Sequence, residues 1–193
     1  MSASPQALAT PESVPRQRCI TTMTIPRIDV STKVRTYEGS PDDAKGTRIQ
    51  DRGILASPVG ANGGVAAGRQ GNFHVNGHRN SAGGVLQDLR KLRRGDLVQV
   101  DEMCEQARDM TYTYRIESRA SYIDFFTPAG RAAQIAETPM SPGVPATRGY
   151  ISISTCATQE DHARGDYRKD AFHNPPGRWV SIGVRVGITI HRA

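Results

Sequence analysis

One cysteine and one histidine stand where β-strands are expected to end, and together they could carry out nucleophilic acyl transfer. Cys156 follows the strand-like segment 150–155, so its thiol would hold a fixed position beside an open face. His78 lies at a turn in Gly77-His78-Arg79 and could take up and return a proton near neutral pH. Taken alone, each residue has an inert alternative, a buried cysteine and a surface or core histidine.

An arginine at the start of the last expected strand could complete such a site. Arg178 opens the alternating segment 179–190. A fixed guanidinium beside a thiol can donate hydrogen bonds to the oxygen of a tetrahedral intermediate, where negative charge develops. Arg164 and Arg168 are competitors for this role, and an ordinary surface arginine is the alternative for all three.

A metal site at the histidine strand is not expected. His74 precedes His78 by four residues, so both would lie on one face of a strand. At about 3.3 Å per residue they would be about 13 Å apart, too far to bind one ion. The sequence also lacks an Asp-x-Asp-x-Asp-Gly calcium loop. Acyl transfer from a thiol needs no metal or organic cofactor, and we expect none.

The elements that would position these residues are mostly short strands. Nineteen glycines and twelve prolines indicate many turns, and several segments alternate between apolar and polar residues. Strands are expected within 24–30, 72–77, 97–100, 111–116, 122–126, 150–155 and 179–190, and a short helix within 85–92. Residues 38–71 are expected to be mostly loop, and long connections are expected at 127–148 and 157–177. Since closure removes exposed edges, we expect a mainly β fold, a single closed β-barrel of seven to eight strands with one or two short helices.

The chain is expected to form one domain, residues 23–193, preceded by a polar, proline-bearing segment, residues 1–22. That segment resembles a disordered N-terminal tail or the remnant of a stalk. No apolar run approaches the roughly 18 residues needed to span a bilayer, and no signal region opens the chain. Any membrane attachment would require a segment absent from this sequence.

The charge balance does not indicate nucleic-acid binding. The net charge is +6 and the sequence pI about 9.5, but only four of the twenty-five basic residues are lysines. No basic helix or basic strand interleaved with aromatic residues accompanies this surplus, so a solvated surface explains it.

The cysteine count is odd, with residues Cys19, Cys104 and Cys156. In an oxidising compartment Cys19 and Cys104 could pair while Cys156 stays reduced. Connectivity cannot be deduced from sequence alone, so two unpaired thiols are the alternative.

The order of these residues resembles the sortase family. The histidine in Gly77-His78-Arg79, the cysteine in Ser154-Thr155-Cys156 and Arg178 at the next strand follow the family's sequence of motifs. Ile25-Pro26-Arg27-Ile28 resembles its first strand, and residues 89–96 resemble the actinobacterial, class E-like branch. The resemblance covers roughly residues 24–190.

This resemblance implies a cysteine transpeptidase that cleaves a Leu-x-x-Thr-Gly-type signal between Thr and Gly. Cys156 would be the nucleophile and His78 the acid/base partner. Arg178 is preferred over its competitors because the family's arginine opens a strand, and it would stabilise the oxyanion with the backbone around Thr155.

The resemblance also implies partners and a location. Val144, Pro145 and Ala146 would line the pocket for the leucine end of the signal. The partners would be surface proteins that carry the signal and a cell-wall precursor that supplies the acceptor amine, at the extracytoplasmic cell envelope. The alternatives are a cysteine hydrolase with the same dyad and a non-catalytic β-barrel binding module.

Overall fold

The computed structural model describes residues 19–191, apart from residues 42 and 106. The strands are β1 Cys19–Ile25, β2 Val30–Glu38, β3 Leu55–Val59, β4 Gly71–Asn76, β5 Leu97–Cys104, β6 Met110–Ile116, β7 Ser121–Asp124, β8 Gly149–Cys156 and β9 Gly177–Ile190. The α-helices are α1 Ala44–Gln50, α2 Pro128–Ile135 and α3 Thr158–Ala163, and 3₁₀ turns lie at Pro26–Ile28 and Leu89–Lys91. Among the described residues, no helix has the length and apolar character to cross a membrane.

Eight of these nine strands close into a barrel, in the order β6-β5-β1-β2-β3-β4-β8-β9 with β9 returning to β6. The long strand β9 makes closure possible, because its residues 183–190 pair with β6 while residues 178–184 pair with β8. Its first residues, 177–180, also pair with β7, which stands outside the closed ring. The prediction of a closed, mainly β barrel is therefore confirmed.

The barrel interior is filled by apolar side chains that alternate along the strands. Those exposed by no more than 1% include Met23, Ile25, Leu55, Phe73, Val75, Val98, Val100, Tyr114, Ile116, Ile151 and Ile153. Because Ile151 and Ile153 point inward, the alternate residues of β8, among them Cys156, point to the outer face. The candidate nucleophile therefore lies outside the barrel core.

The predicted first strand, 24–30, is wrong. β1 ends at Ile25, and a 3₁₀ turn follows with Pro26 in its first position, where a missing N–H and a fixed φ are tolerated. β2 then returns antiparallel to β1. The ordered domain also begins earlier than expected, since residues 19–22 belong to β1 instead of the tail. The remainder of the expected tail, residues 1–18, lies outside the described residues.

The helix predictions also need correction. The segment 85–92 holds only the 3₁₀ turn Leu89–Lys91, and the buried Leu86 and Leu92 flank it, so three leucines at helical spacing are buried without an α-helix. Three α-helices instead lie in stretches expected to be loops. Asp43 caps α1 by accepting from the N–H groups of Lys45 and Gly46, and Thr127 caps α2 by accepting from Gly130. The abundant glycines and prolines concealed these caps.

A disulfide joins Cys19 of β1 to Cys104 of β5, and Cys156 forms no disulfide. The two bridged residues are direct partners in the β1–β5 register. The bridge therefore ties the first described strand to the barrel.

Replacing both Cys19 and Cys104 by serine should destabilise the domain without altering its fold. The bridge closes a loop with a sequence separation of 85 residues. Removing such a constraint on the unfolded chain should lower the free energy of unfolding by about 4 kcal/mol. Urea unfolding followed by circular dichroism measures this, with Cys156→Ser as the control that keeps the bridge. Equal stability of the double variant and the control would contradict the prediction.

Candidate active site

Three neighbouring strands determine where the candidate catalytic residues lie. β8 has β4 on one side, in parallel register, and β9 on the other, antiparallel. Cys156 ends β8 and is the direct cross-strand partner of Arg178 in β9. Side chains of such partners leave one face with Cβ atoms about 5 Å apart. The thiol, which is partly buried, therefore has the arginine beside it on the outer face.

His78 approaches Cys156 from the opposite side. The last described pair between β4 and β8 is Asn76 with Ser154, and the Gly77 N–H continues the ladder by donating to the Ser154 carbonyl at 3.2 Å. β4 ends at Asn76, and from this register, continued by two residues along each chain, we infer that His78 lies beside Cys156. Its side chain is 15% exposed, so solvent and substrate can reach it.

Thr155 joins the two strands that carry the dyad. Its hydroxyl is buried and donates to the Gly77 carbonyl at 2.7 Å. Because Gly77 precedes His78 and Thr155 precedes Cys156, this one bond fixes the separation of the two strand ends. The side chain of Thr155 thus makes a contact that positions the two strand ends. The oxyanion role predicted for the backbone around Thr155 stays a prediction.

Gly77 cannot be replaced by a larger residue without displacing the core. A Cβ atom there would stand 2.6 Å from a methyl of Leu55 and 2.9 Å from one of Leu86. The chain must pass this close for His78 to reach the outer face. A glycine directly before His78 is therefore favoured by the packing of the core.

Arg178 is buried, with 2% of its surface exposed, and its guanidinium is held by backbone carbonyls. Nη1 donates to the carbonyls of Pro175 and of Gly177, the latter at 3.0 Å. The guanidinium carbon lies 5.5 Å from the centre of the Phe125 ring. A preorganised cation of this kind suits a developing oxyanion because it needs little reorganisation.

The two competing arginines lie elsewhere. Arg164 stacks on the Tyr122 ring at 4.0 Å, and Arg168 forms ion pairs with Asp124 and Asp166. Arg178, and neither of these, is the strand partner of Cys156.

A pocket of about 280 Å³ opens at Arg178. Its lining includes Ser40 and Pro41 before α1, Phe125 and Phe126 after β7, Gln134 of α2 and Phe172 of the 157–177 connection. The charged residues Asp43, Arg131 and Asp170 also line it, so aromatic rings and charges of both signs meet the buried Arg178 there. The pocket can receive a peptide segment of mixed polarity beside the start of β9.

A second pocket, of about 380 Å³, is lined by Val144 and Pro145 together with the end of α2. Ala146, the third residue of the predicted set, is buried, and its carbonyl accepts from Gln70 at 2.6 Å. The Asn72 amide of β4 donates to the Ala136 carbonyl at 3.2 Å, and this hydrogen bond fixes the end of α2 to the barrel. Asn72 pairs with a residue six positions before Cys156, about 20 Å along β8.

The outer face of β4 and β8 is polar under α2. Ser152 donates to Asn72 at 2.8 Å and lies 2.7 Å from Nδ1 of His74, while Ser154 donates to Asn76 at 2.6 Å. All five side chains are buried. These hydrogen bonds explain why polar residues occupy positions where an apolar pattern would be usual. They also place His74 in a structural network.

His78 has a partner that the sequence did not reveal. Its Nε2 lies 2.9 Å from Oδ1 of Asp51, the residue that follows α1. The two residues are 27 positions apart, and no local pattern links them.

Two neighbouring carboxylates of α3 brace all three segments of the site, and the sequence did not reveal them either. Asp161 is fully buried and accepts from the Tyr122 hydroxyl at 2.6 Å and from the Gly177 N–H at 3.0 Å, next to Arg178. Glu160 accepts from Arg79, next to His78, at 2.5 Å and from Arg90 at 2.7 Å. The helix itself starts two residues after Cys156. The segments that carry Cys156, His78 and Arg178 thus meet at one short helix.

The Glu160 carboxylate is held in its charged form. Burial opposes ionisation most strongly, but the hydrogen bonds and positive charge of Arg79, together with hydrogen bonds from Trp179 and from the backbone, outweigh it and lower the pKa of Glu160 to about 2. Arg90 also stacks over the Trp179 ring at 4.3 Å. Ion pairs and one cation–aromatic stack therefore hold Glu160, Arg79, Arg90 and Trp179 together.

The comparisons with known proteins agree with this fold. The profile of the Sortase domain matches residues 23–169. Similar solved structures include sortase E from Streptomyces avermitilis, 21% identical with a TM-score of 0.54 over 88% of this chain and 89% of that chain. Sortase E1 from Streptomyces coelicolor with a tripeptide in the active site is 20% identical, TM-score 0.57, over 89% and 90%. The SrtA sortase from Actinomyces oris is 17% identical, TM-score 0.56, over 94% and 89%. No curated protein sequence matches the chain.

A thiol between an imidazole and a guanidinium, at strand ends on the outside of a closed β-barrel, is suited to cysteine-dependent acyl transfer. The chain belongs to the sortase family, since the Sortase domain covers most of its length. It is therefore a cysteine transpeptidase, and the class E sortases among the similar folds fit the branch that its sequence resembles.

Replacing Glu160 by glutamine should reduce stability in a pH-dependent way. The folded state lowers the pKa of Glu160 from 4.5 to about 2. The contribution of this carboxylate is therefore present above about pH 4.5 and is lost as the pH falls towards 2. Melting temperatures measured from pH 6.5 to 3 should show a gap between the native protein and Glu160→Gln that narrows on acidification. Glu117→Gln, at an exposed 3.9 Å pair with Arg115, is the control; a constant gap for Glu160→Gln would disprove the explanation.

Proposed function

We propose that this transpeptidase cleaves a Leu-x-x-Thr-Gly-type sorting signal between Thr and Gly and joins the threonine carbonyl to an amine. The observation that carries the proposal is the strand register. Arg178 is the cross-strand partner of Cys156, and we infer that His78, two residues beyond the last β4–β8 pair, lies on the other side. Cys156 and His78 are partly exposed at the strand ends, beyond the part of the outer face that α2 covers, so an extended peptide can reach them.

In the first half-reaction the Cys156 thiolate attacks the threonine carbonyl carbon, and a C–S bond forms. The carbonyl oxygen becomes an oxyanion that the Arg178 guanidinium stabilises from the neighbouring strand. When the intermediate collapses, the C–N bond breaks and His78, as imidazolium, gives its proton to the leaving glycine amine. A thioester and a neutral imidazole remain.

In the second half-reaction an acceptor amine attacks the thioester. Neutral His78 takes the proton that the amine loses, the C–S bond breaks, and Cys156 leaves as thiolate. The product carries a new amide bond, and both catalytic groups return to their starting forms. Exclusion of water from the thioester decides between transpeptidation and hydrolysis.

The signal is proposed to lie across the partly exposed strand ends, with its threonine at Cys156. The leucine, three residues upstream, would then be about 10 Å away. Val144 and Pro145 line the pocket at the end of α2, and we propose that they contact this leucine, with the buried Ala146 behind them.

The biological partners follow from the same chemistry. Surface proteins bearing the signal would be the first substrates, and a cell-wall precursor amine or another protein's amine the second. These partners place the enzyme at the extracytoplasmic face of the cell envelope. The Cys19–Cys104 disulfide fits an oxidising compartment and supports this placement.

Peptides carrying Leu-Ala-x-Thr-Gly and Leu-Pro-x-Thr-Gly, incubated with and without a glycine-based amine, test the proposal. Mass spectrometry should show cleavage between Thr and Gly and joining of the amine to threonine, with neither product from Cys156→Ala. Cleavage that depends on Cys156 but never joins the amine would indicate a hydrolase. If neither peptide is cleaved and a small alkylating agent fails to react with Cys156 in the folded protein, the results would favour a non-catalytic binding module.

Replacing Arg178 by lysine tests the proposed oxyanion contact. Lysine keeps the charge but lacks the planar donors, so kcat should fall about 100-fold while KM changes little. Arg168→Lys is the matched control, because Arg168 pairs with Asp124 and Asp166 and not with the strand of Cys156. Steady-state kinetics on the better peptide measures both. An equal fall in kcat for the two substitutions would show that Arg178 does not stabilise the oxyanion.

A further inference from the structure

The contact between Asp51 and His78 assigns one nitrogen of the imidazole ring. Nε2 of His78 lies 2.9 Å from Oδ1 of Asp51, within the range of a short, charge-assisted hydrogen bond. A carboxylate only accepts, so Nε2 must carry the proton. Nδ1 is then the ring nitrogen left to exchange a proton with the reacting groups.

The position of Asp51 is set by the docking of α1 on the barrel. The Asp51 N–H donates to the Thr47 carbonyl at 2.9 Å, which keeps the residue in the last turn of the helix. α1 packs against the outer face of the barrel through a small core of Tyr37, Ile49 and Ala56. A carboxylate fixed in this way can hold a ring orientation that a freely moving side chain could not.

A contribution to the stability of the fold does not explain this contact. The Asp51 side chain is 58% exposed, and an exposed ion pair contributes little to the stability of a fold. The partner, however, is the histidine next to Cys156. The physical effect of the contact is therefore expected on the orientation and tautomer of His78.

We propose that Asp51 is a positioning residue for this transpeptidase, holding His78 with Nε2 protonated and Nδ1 directed to the chemistry. The proposal rests on the proposed role of His78 as acid/base. Asp51 exchanges no proton itself. It sets which ring nitrogen takes the proton from the acceptor amine and gives it to the leaving amine.

Kinetics of Asp51→Ala and Asp51→Glu provide the first test. Removing the carboxylate should lower kcat about 10-fold with KM nearly unchanged, a smaller loss than the roughly 10²–10⁴-fold that general acid–base catalysis supplies, since water can partly replace an exposed carboxylate. Asp51→Glu should recover part of the rate. Asp88→Ala is the control, because it removes another exposed carboxylate from an ion pair, at 2.8 Å with Lys91. A rise in KM alone, or no recovery with glutamate, would overturn the proposal.

Nitrogen-15 NMR of the histidine rings gives a second test that needs no activity. It is carried out on Cys156→Ala protein, with His78 assigned by its loss in a His78→Gln variant. The neutral ring of His78 should be mainly the Nε2–H tautomer, and Asp51→Ala should shift the population towards Nδ1–H by several-fold. Unchanged tautomers would refute the role of Asp51 even if the peptides are cleaved. A shifted tautomer in an enzyme that cleaves neither peptide would refute the proposed reaction and leave the Asp51 contact standing.

Discussion

The parallel register between β4 and β8 is the constraint on which the site depends. Parallel strands reach the same edge of a sheet together, so we infer that two residues distant in the chain, His78 and Cys156, lie side by side just beyond the last pair, Asn76 with Ser154. The antiparallel strand β9 starts at that edge, and its beginning supplies Arg178. Backbone pairing therefore assembles the three candidate catalytic residues, and the buried Thr155–Gly77 hydrogen bond maintains the spacing.

Around this backbone frame, polar side chains hold the ends of the strands where hydrogen bonding between strands stops. Asp161 binds the N–H group of Gly177 before Arg178, and Glu160 binds Arg79 after His78. Both carboxylates belong to α3, which begins two residues after Cys156. Because burying an unpaired charge is costly, each carboxylate also enforces the arrangement of its partners. A helix of six residues thus transmits the position of one segment to the other two.

The sequence predicted the parts of the fold and of the site that follow from local pattern. Alternation located β6, β8 and β9, and strand ends next to glycine marked His78 and Arg178. The prediction from the sequence missed α1 and α2 because their caps are single side chains in stretches rich in glycine and proline. It missed Asp51 and Glu160 because their partners are 27 and 81 residues away, and no periodicity encodes a contact of that range.

The strand β9 combines two environments that should evolve at different rates. Its first half is packed on both faces and carries Arg178, whereas in its second half Val186, Ile188 and Ile190 expose about half of their side chains. The backbone pairing with β6 closes the barrel there, and it depends little on which side chains point outward. Among homologues, the second half should therefore drift in sequence while the first is kept, so one continuous strand would look like two separate segments in an alignment.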